Sequence, residues 1–377
     1  RLAEKGYRVC LLERGREYGF NGFPRRIDEF RHAFWDPKDK LHGLFEVLAH
    51  KESDVFTVTA SGLGGGSLIY SNVLMPMDAE FFHGWPGGIS RNVLDPYYDK
   101  VLKTMAASPY PFDDPYYSDT PKACLLRDAL SEIAKDHEAT QPPVGFFPRL
   151  ALCFKGNFPG EQSINEHGMV QSRCKKCGEC NIGCNIHSKN TLDLNYIARA
   201  RNKALLGETG VPAEIRTNAQ ALDIIPLDPG GYVVRYKDPR DRSSASLKEL
   251  SSKKVVISCG SIGTTALLLK LKKSSLPKIS NALGKGWCGN GDLEATIINT
   301  RKEAMPTNGP VITYAIKYSY PPYPDGFPHG IFIEDGGFPR FLAWYIAGKM
   351  PSPISSLHFI KAAWDFLTKL FKKNPET

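Results

Sequence analysis

Between positions 62 and 66 the chain carries four glycines in five residues, Gly62-Leu63-Gly64-Gly65-Gly66, and runs straight on into Ser67-Leu68-Ile69-Tyr70-Ser71-Asn72. Glycine has no Cβ, so its backbone can turn sharply and let a ligand or another segment come close. Successive N–H groups in such a turn can form a concavity that binds an anion. Residues 55–59, Val55-Phe56-Thr57-Val58-Thr59, read as a strand leading into the loop, and Ser67 is placed to cap a following helix. A flexible linker is the competing reading. Linkers of that kind rarely enter an apolar Leu-Ile-Tyr run directly, so the segment is read as a phosphate or cofactor loop.

Two further segments share this character. Residues 7–13, Tyr7-Arg8-Val9-Cys10-Leu11-Leu12-Glu13, are a short apolar run ending in an acid, with Gly6 before it and Gly15 after it. That is the pattern of the second half of a βαβ unit. In a dinucleotide-binding fold the acid there accepts hydrogen bonds from ribose hydroxyls; otherwise Glu13 is a surface acid at a strand end. The GxGxxG expected some 20 residues upstream is absent. Farther on, the run 254–258 reads as a buried strand, and Cys259-Gly260-Ser261-Ile262-Gly263 turns into a helix over 264–271. The N–H groups of such a helix start are free to meet an anion.

The remaining elements are ordinary. Helices are expected over 97–107, 122–137 and 191–206, and a hairpin over 221–225 and 232–236 around Asp228-Pro229-Gly230-Gly231. Strands are expected over 310–316 and 330–333. Residues 353–373 carry Ile354, Leu357, Ile360, Trp364, Leu367 and Phe371 at helical spacing beside four lysines. Such a helix packs on a core more often than it lies on a membrane surface. No run approaches the roughly 18 apolar residues of a membrane span. The net charge is +8, but the basic residues are dispersed and no nucleic-acid-binding pattern is present, so nucleic acid is not an expected partner. The opening Arg1-Leu2-Ala3-Glu4-Lys5-Gly6 reads as the tail of a helix already under way.

Nine cysteines, an odd number, do not suggest a secreted disulfide framework. A reducing, cytoplasmic setting is expected, with peripheral membrane association as the variant. Four of the cysteines form Cys174-x2-Cys177-x2-Cys180-x3-Cys184, the spacing of a bacterial ferredoxin run. An iron–sulfur cluster or zinc is the expectation, against thiols that merely pack. Asn185 stands where proline usually follows, and only one run exists, so a lone cluster could need a remote ligand.

Taken together, the acid-ended strand, the loop 62–72 and the segment 255–269 resemble the FAD-dependent glucose–methanol–choline oxidoreductases, in particular the bacterial cholesterol-oxidase-like branch. Gly-Leu-Gly-Gly-Gly-Ser-Leu-Ile-Tyr-Ser-Asn is similar to that family's first signature. Val-Val-Ile-Ser-Cys-Gly-Ser-Ile-Gly-Thr-Thr-Ala-Leu-Leu-Leu is similar to its second, with Cys259 where alanine is usual. Gly286-Trp287-Cys288-Gly289-Asn290-Gly291-Asp292, Asn308-Gly309-Pro310-Val311-Ile312-Thr313 and Ile333-Glu334-Asp335-Gly336-Gly337 resemble further segments of the branch.

The resemblance implies an α/β chain (α+β overall): an incomplete Rossmann-like FAD-binding domain with an inserted substrate-binding domain. The expected boundaries are 1–80 for the FAD-binding domain, 81–190 for a loop-rich insertion with the cysteines, 191–292 for the FAD-binding domain continued, and 293–377 for the start of the substrate-binding domain. It implies that Glu13 holds the adenosine ribose and that Gly64, Gly65, Gly66 and Ser67 face the pyrophosphate and flavin. Asn72 would lie near the isoalloxazine, Ala221 would meet the adenine through its backbone, Gly260 and Ser261 would approach the adenosine end, and Asn290 and Asp292 would lie beside the flavin. The implied reaction is oxidation of a hydrophobic alcohol, of sterol or long-chain type, by hydride transfer to the flavin, with oxygen or a carrier as acceptor. The family's catalytic base and its partner, a histidine with an asparagine or second histidine, match none of the nine histidines here, so no catalytic residue is named. They are expected beyond residue 377, and the chain is expected to be an internal piece that binds FAD weakly by itself and does not turn over. The alternative is an iron–sulfur electron-transfer protein built on Cys174–Cys184. A basic membrane-surface or nucleic-acid-binding protein comes third.

Overall fold

A computed structural model describes residues 1–26, 28–49, 55–135, 142–241, 243, 246–289, 291–295, 297, 300–324, 326–327 and 329–340. Helix and strand are mixed along the chain. Two compact units are interleaved in sequence. The first takes 1–19, 32–68 and 192–301; the second takes 20–31, 69–191 and 302–377.

In the first unit the apolar run at the start of the chain becomes the strand Cys10–Leu12, parallel to Glu214–Arg216. Backbone bonds carry the pairing past the strand end: the Glu13 N–H donates to Arg216 O at 2.9 Å, and Ala219 N–H to Glu13 O at 2.8 Å. Residues before it, 2–6, form turns and not the end of a helix. Phe56–Ala60 pairs antiparallel with Phe45–Ala49. The expected hairpin forms as Gln220–Pro226 and Tyr232–Lys237, and Lys248–Ser252 adds a third antiparallel strand. Ile224 and Val234 of this sheet bury against Leu267, Leu268 and Leu271 of the helix Gly260–Lys272.

Two expectations in this unit are corrected. Residues 254–258 join no ladder among the described residues. Val255 and Ile257 turn inward onto the Ile224 cluster, whereas Val256 is 77% exposed. The run is apolar on one face only, and packing, not strand pairing, holds it. The long helix over 191–206 is three pieces, Leu192–Leu194, Tyr196–Arg201 and Lys203–Leu205. Asn195 and Asn202 break it, because each side chain accepts a backbone N–H and restarts the chain as a cap.

The second unit contains the helices Arg91–Thr104 and Pro121–Ile133. Pro121 occupies the first helical position, where the missing N–H costs nothing. Ala123, Leu126, Leu130 and Ile133 recur on one face and pack on Tyr314, Ile316 and Phe147. The adjoining antiparallel sheet runs His329–Glu334, Ala315–Tyr320, Val144–Phe146. The strand expected over 310–316 therefore starts only at Ala315. Residues 310–314 are held instead by Asp335, whose Oδ1 accepts the N–H groups of Thr313 at 2.6 Å and Tyr314 at 2.7 Å. Lys122, buried in the same place, pairs with Asp335 and donates to Val311 O at 3.2 Å and to the Thr313 hydroxyl at 3.2 Å. No helix among the described residues is long and apolar enough to cross a membrane. The amphipathic segment 353–373 lies outside the described residues.

Candidate cofactor site

The first unit gathers three backbone features around one carboxylate. Glu13 ends the parallel strand and is partly buried. Its carboxylate accepts the Gly15 N–H at 2.7 Å and the Gly62 N–H. Burial pushes the carboxyl up from its ordinary value, and these two N–H groups and Arg14 only partly offset the effect. The thiol of Cys259, at the start of the helix Gly260–Lys272, feels the same carboxylate; burial first and then Glu13 push that thiol up. The strand end, the glycine loop and the helix start therefore meet at Glu13.

Glycine is required at this junction for a reason of distance. A Cβ on Gly15 would stand 2.2 Å from the Ser61 carbonyl carbon and 2.4 Å from Gly62 N. Arg16 and Gly62 bridge in parallel, and Leu63 N–H donates to Arg16 O at 3.0 Å. Beyond this clamp the loop opens. A Cβ on Gly65 or Gly66 would meet nothing within 4 Å, and the same holds at Gly260. Gly64 and Gly260 take positive φ, +114° and +74°. A bare backbone with room in front of it is the cradle that a phosphate or flavin edge would occupy.

Ser67 is tied into the loop. Its hydroxyl donates to Gly64 O at 2.6 Å and accepts the Leu192 N–H at 3.0 Å. Ser261 is exposed at the first turn of the Gly260 helix, and no acid occupies that turn. Ala221 sits opposite Tyr236, just before a bulge, with its side chain against the Ile224 cluster. Asp292 is exposed, and Asn290 lies outside the described residues.

Asn72 belongs to the second unit. It is fully buried at φ +63°, and neither Oδ1 nor Nδ2 has a hydrogen-bond partner among the described residues. A buried primary amide in that state is costly unless something polar meets it. Its neighbour Tyr70 donates to Asn190 O at 2.9 Å.

The cysteine run also lies in the second unit. Cys174 and Cys180 pack in a core with Tyr110, Tyr117, Leu150, Leu152 and Val311, while Cys177 faces outward. Among the described residues no group of three or more His, Cys, Asp or Glu could hold a metal ion. The expectation of an iron–sulfur cluster or zinc at Cys174, Cys177, Cys180 and Cys184 therefore finds no support: the core draws Cys174 and Cys180 inward and leaves Cys177 exposed.

Sequence reasoning missed Gly15 as a contact residue and missed Lys122 altogether. The signal for Gly15 was its place two residues after the acid; its partner Ser61 is too far along the chain to read. A pH prediction follows from Glu13. A carboxyl raised by folding contributes stability below its unfolded value, near 4.5, and that contribution is lost as pH rises through the folded value. Glu13→Gln is expected to melt higher than the parent at neutral pH, with the gap closing as pH falls toward 4.5. Thermal melts across that range check it; a gap that widens at low pH overturns it.

No protein-family model matches the chain. It is 27% identical over 294 residues to a protein named cholesterol oxidase from Acinetobacter baumannii, covering 75% of this chain and 50% of that protein. It is 26% identical over 325 residues to proteins named cholesterol oxidase from two Mycobacterium tuberculosis strains, CDC 1551 / Oshkosh and H37Rv, covering 84% of this chain and 53% of each. The chain thus spans about half the length of the curated relatives it matches. A solved fungal aryl-alcohol oxidase covers 70% of this chain and 43% of its own at 11% identity and a TM-score of 0.40, a likeness too slight to carry an argument.

Proposed function

We propose that this chain is the FAD-binding portion of a flavin-dependent oxidoreductase that oxidises the CH–OH group of a hydrophobic alcohol, of sterol or long-chain type. The observation that carries the reading is the meeting of Glu13, the open Gly65–Gly66 backbone and the start of the Gly260 helix in one unit. Relatives named cholesterol oxidase support the substrate class. On this reading the parallel pair Cys10–Leu12 and Glu214–Arg216 belongs to a Rossmann-like domain.

FAD, when bound, supplies the hydride acceptor. The chain's own residues bind and orient. The Glu13 carboxylate accepts from two ribose hydroxyls, and ionising it beside them recovers part of what its burial costs in the free protein. The N–H groups of Gly64 and Gly66 and of the first turn of the Gly260 helix face the pyrophosphate, while the Gly65 N–H closes the turn onto Gly62 O at 2.8 Å. The Ser67 hydroxyl fixes the loop's shape from behind. Asn72, Ala221, Asn290 and Asp292 remain the further proposed contacts. Lys189, Asn190 and Tyr70 keep the segment before Asn72 in place through the bonds of Tyr70 to Asn190 O and of Lys189 to Tyr70 O.

The test uses the full-length protein that contains this chain. Purified protein is expected to carry flavin that is bleached anaerobically by a hydroxysteroid or a long-chain primary alcohol. Glu13→Ala is expected to lower flavin affinity at least about tenfold, the loss of one or two hydrogen bonds to a charged acceptor. Protein that binds no flavin, or a Glu13→Ala variant with undiminished flavin affinity, overturns the reading.

A further inference from the structure

We propose that the second unit carries a binding site for a small phosphate monoester, separate from the residues read as the flavin site. The site is a cavity of about 550 Å³ bordered by Tyr116, residues of the loop 175–179, Thr307, Asn308 and Arg340. All of these belong to the second unit. The size falls in the ordinary range for small-molecule sites, roughly 300–1,000 Å³, and exceeds what a bare inorganic anion fills.

The walls are fixed by main chain. The Gly309 N–H donates to Lys176 O at 3.0 Å, and Cys177 and Gly309 bridge in parallel. The Phe338 N–H donates to Pro306 O at 3.2 Å, which ties the Arg340 side of the cavity to the Thr307 side. Gly178, at φ +71°, lets these segments close up: a Cβ there would stand 2.8 Å from Phe338 O and 3.4 Å from Thr307 O. The Tyr116 hydroxyl donates to Lys175 O at 3.1 Å. Lys175 itself lies over Gly160, where a Cβ would stand 2.1 Å from its Cε. A bare backbone at that position therefore sets the course of the lysine stem.

Charge decides the ligand. Glu179 is neutralised by Arg25 at 2.6 Å, and the shielded Lys176 by Asp119 at 2.7 Å, with its ammonium 4.7 Å from the centre of the Tyr116 ring. Two cations remain on the cavity, Lys175 and Arg340, and neither pairs with an acid among the described residues. Beside them the Thr307 hydroxyl and the Asn308 amide make no hydrogen bond among the described residues. Two uncommitted positive charges in one cavity ask for two negative charges on the ligand. A carboxylate or a sulfate ester supplies one. A phosphate monoester at neutral pH carries about −1.5 to −2 and offers three acceptor oxygens. A guanidinium fork suits two of these oxygens and an ammonium meets the charge from another side. Thr307 and Asn308 add neutral donors. The space beside Tyr116 and Cys177 takes the organic part of the ester.

The experiment titrates phenyl phosphate into the full-length protein that contains this chain, by calorimetry in a buffer free of phosphate. Phenyl sulfate, similar in shape with one charge fewer, is expected to bind at least about tenfold more weakly. Lys175→Ala and Arg340→Ala are each expected to weaken phenyl phosphate binding about tenfold, because each removes a charged donor. Lys302→Ala removes an exposed lysine of the same unit, paired with Asp128, and is expected to leave binding unchanged. Both Lys175 and Arg340 are exposed, and thermal melts check that their variants fold. The comparison of the two esters on the parent protein decides the matter without any variant. No binding of phenyl phosphate at millimolar concentration, equal affinity for phenyl sulfate, or undiminished affinity in the folded Lys175→Ala and Arg340→Ala variants overturns the proposal. An equal loss in Lys302→Ala also overturns it, since general basicity would then account for the binding. None of these outcomes depends on the flavin reading.

Discussion

Lys122→Met is expected to destabilise the second unit by about 3–5 kcal/mol, the cost of leaving a buried carboxylate without its cation. Lys122 and Asp335 are both almost completely shielded from solvent. The ammonium also donates to Val311 O and Thr313 Oγ1, while Asp335 fixes the N–H groups of Thr313 and Tyr314. One pair therefore joins the helix Pro121–Ile133 to the segment entering the central strand Ala315–Tyr320. The double variant Lys122→Met/Asp335→Asn is expected to recover part of the loss, because the amide oxygen still accepts a backbone N–H and no charge is stranded. Denaturant melts of the three proteins decide the matter. A Lys122→Met single variant within about 1 kcal/mol of the parent would show that the pair contributes no more than a surface bridge.

Gly15→Ala has the second large effect, of about 3 kcal/mol or more, for a steric reason. Its new methyl would stand 2.2 Å from the Ser61 carbonyl carbon and 2.3 Å from its oxygen. These are backbone atoms, so no side chain can rotate away. Either the strand end or the glycine loop must move, and with them the Gly15 and Gly62 N–H groups that hold Glu13. Gly19→Ala, where a Cβ would meet nothing within 4 Å, is the matched control and is expected to be nearly neutral. Equal melting of the two alanine variants refutes the clamp.

Local chemistry made much of the first unit legible. The acid-ended strand, the turn at Asp228–Gly231 and the start of the helix near Gly260 each depend on residues a few positions apart. The open backbone at Gly65 and Gly66 was readable because glycine density is itself the signal. The failures are non-local or two-faced. Phe45–Ala49 has no clean alternation and becomes a strand only because Phe56–Ala60 pairs with it. The run 254–258 has strand composition but finds no ladder, and its exposed Val256 shows that only one face is used. Lys122 and Asp335 look like a solvated lysine and a turn aspartate until the fold closes over both. The proposed contacts of Asn72 could be named from a resemblance, but the burial and unpartnered amide that make that residue interesting are visible only in three dimensions.

The interleaving of the two units has a consequence for the newborn chain. Each unit needs segments from both sides of the other's, so neither can close until residues near 300 have been made. Lys122 must wait for a partner 213 residues downstream. At about 5–20 residues per second, that is a delay of roughly 10–40 s on the ribosome. Throughout it, the apolar face of the helix Pro121–Ile133 has no central strand to cover it. The chain's yield in a foreign host should respond more to the speed of translation than to the stability of the finished fold.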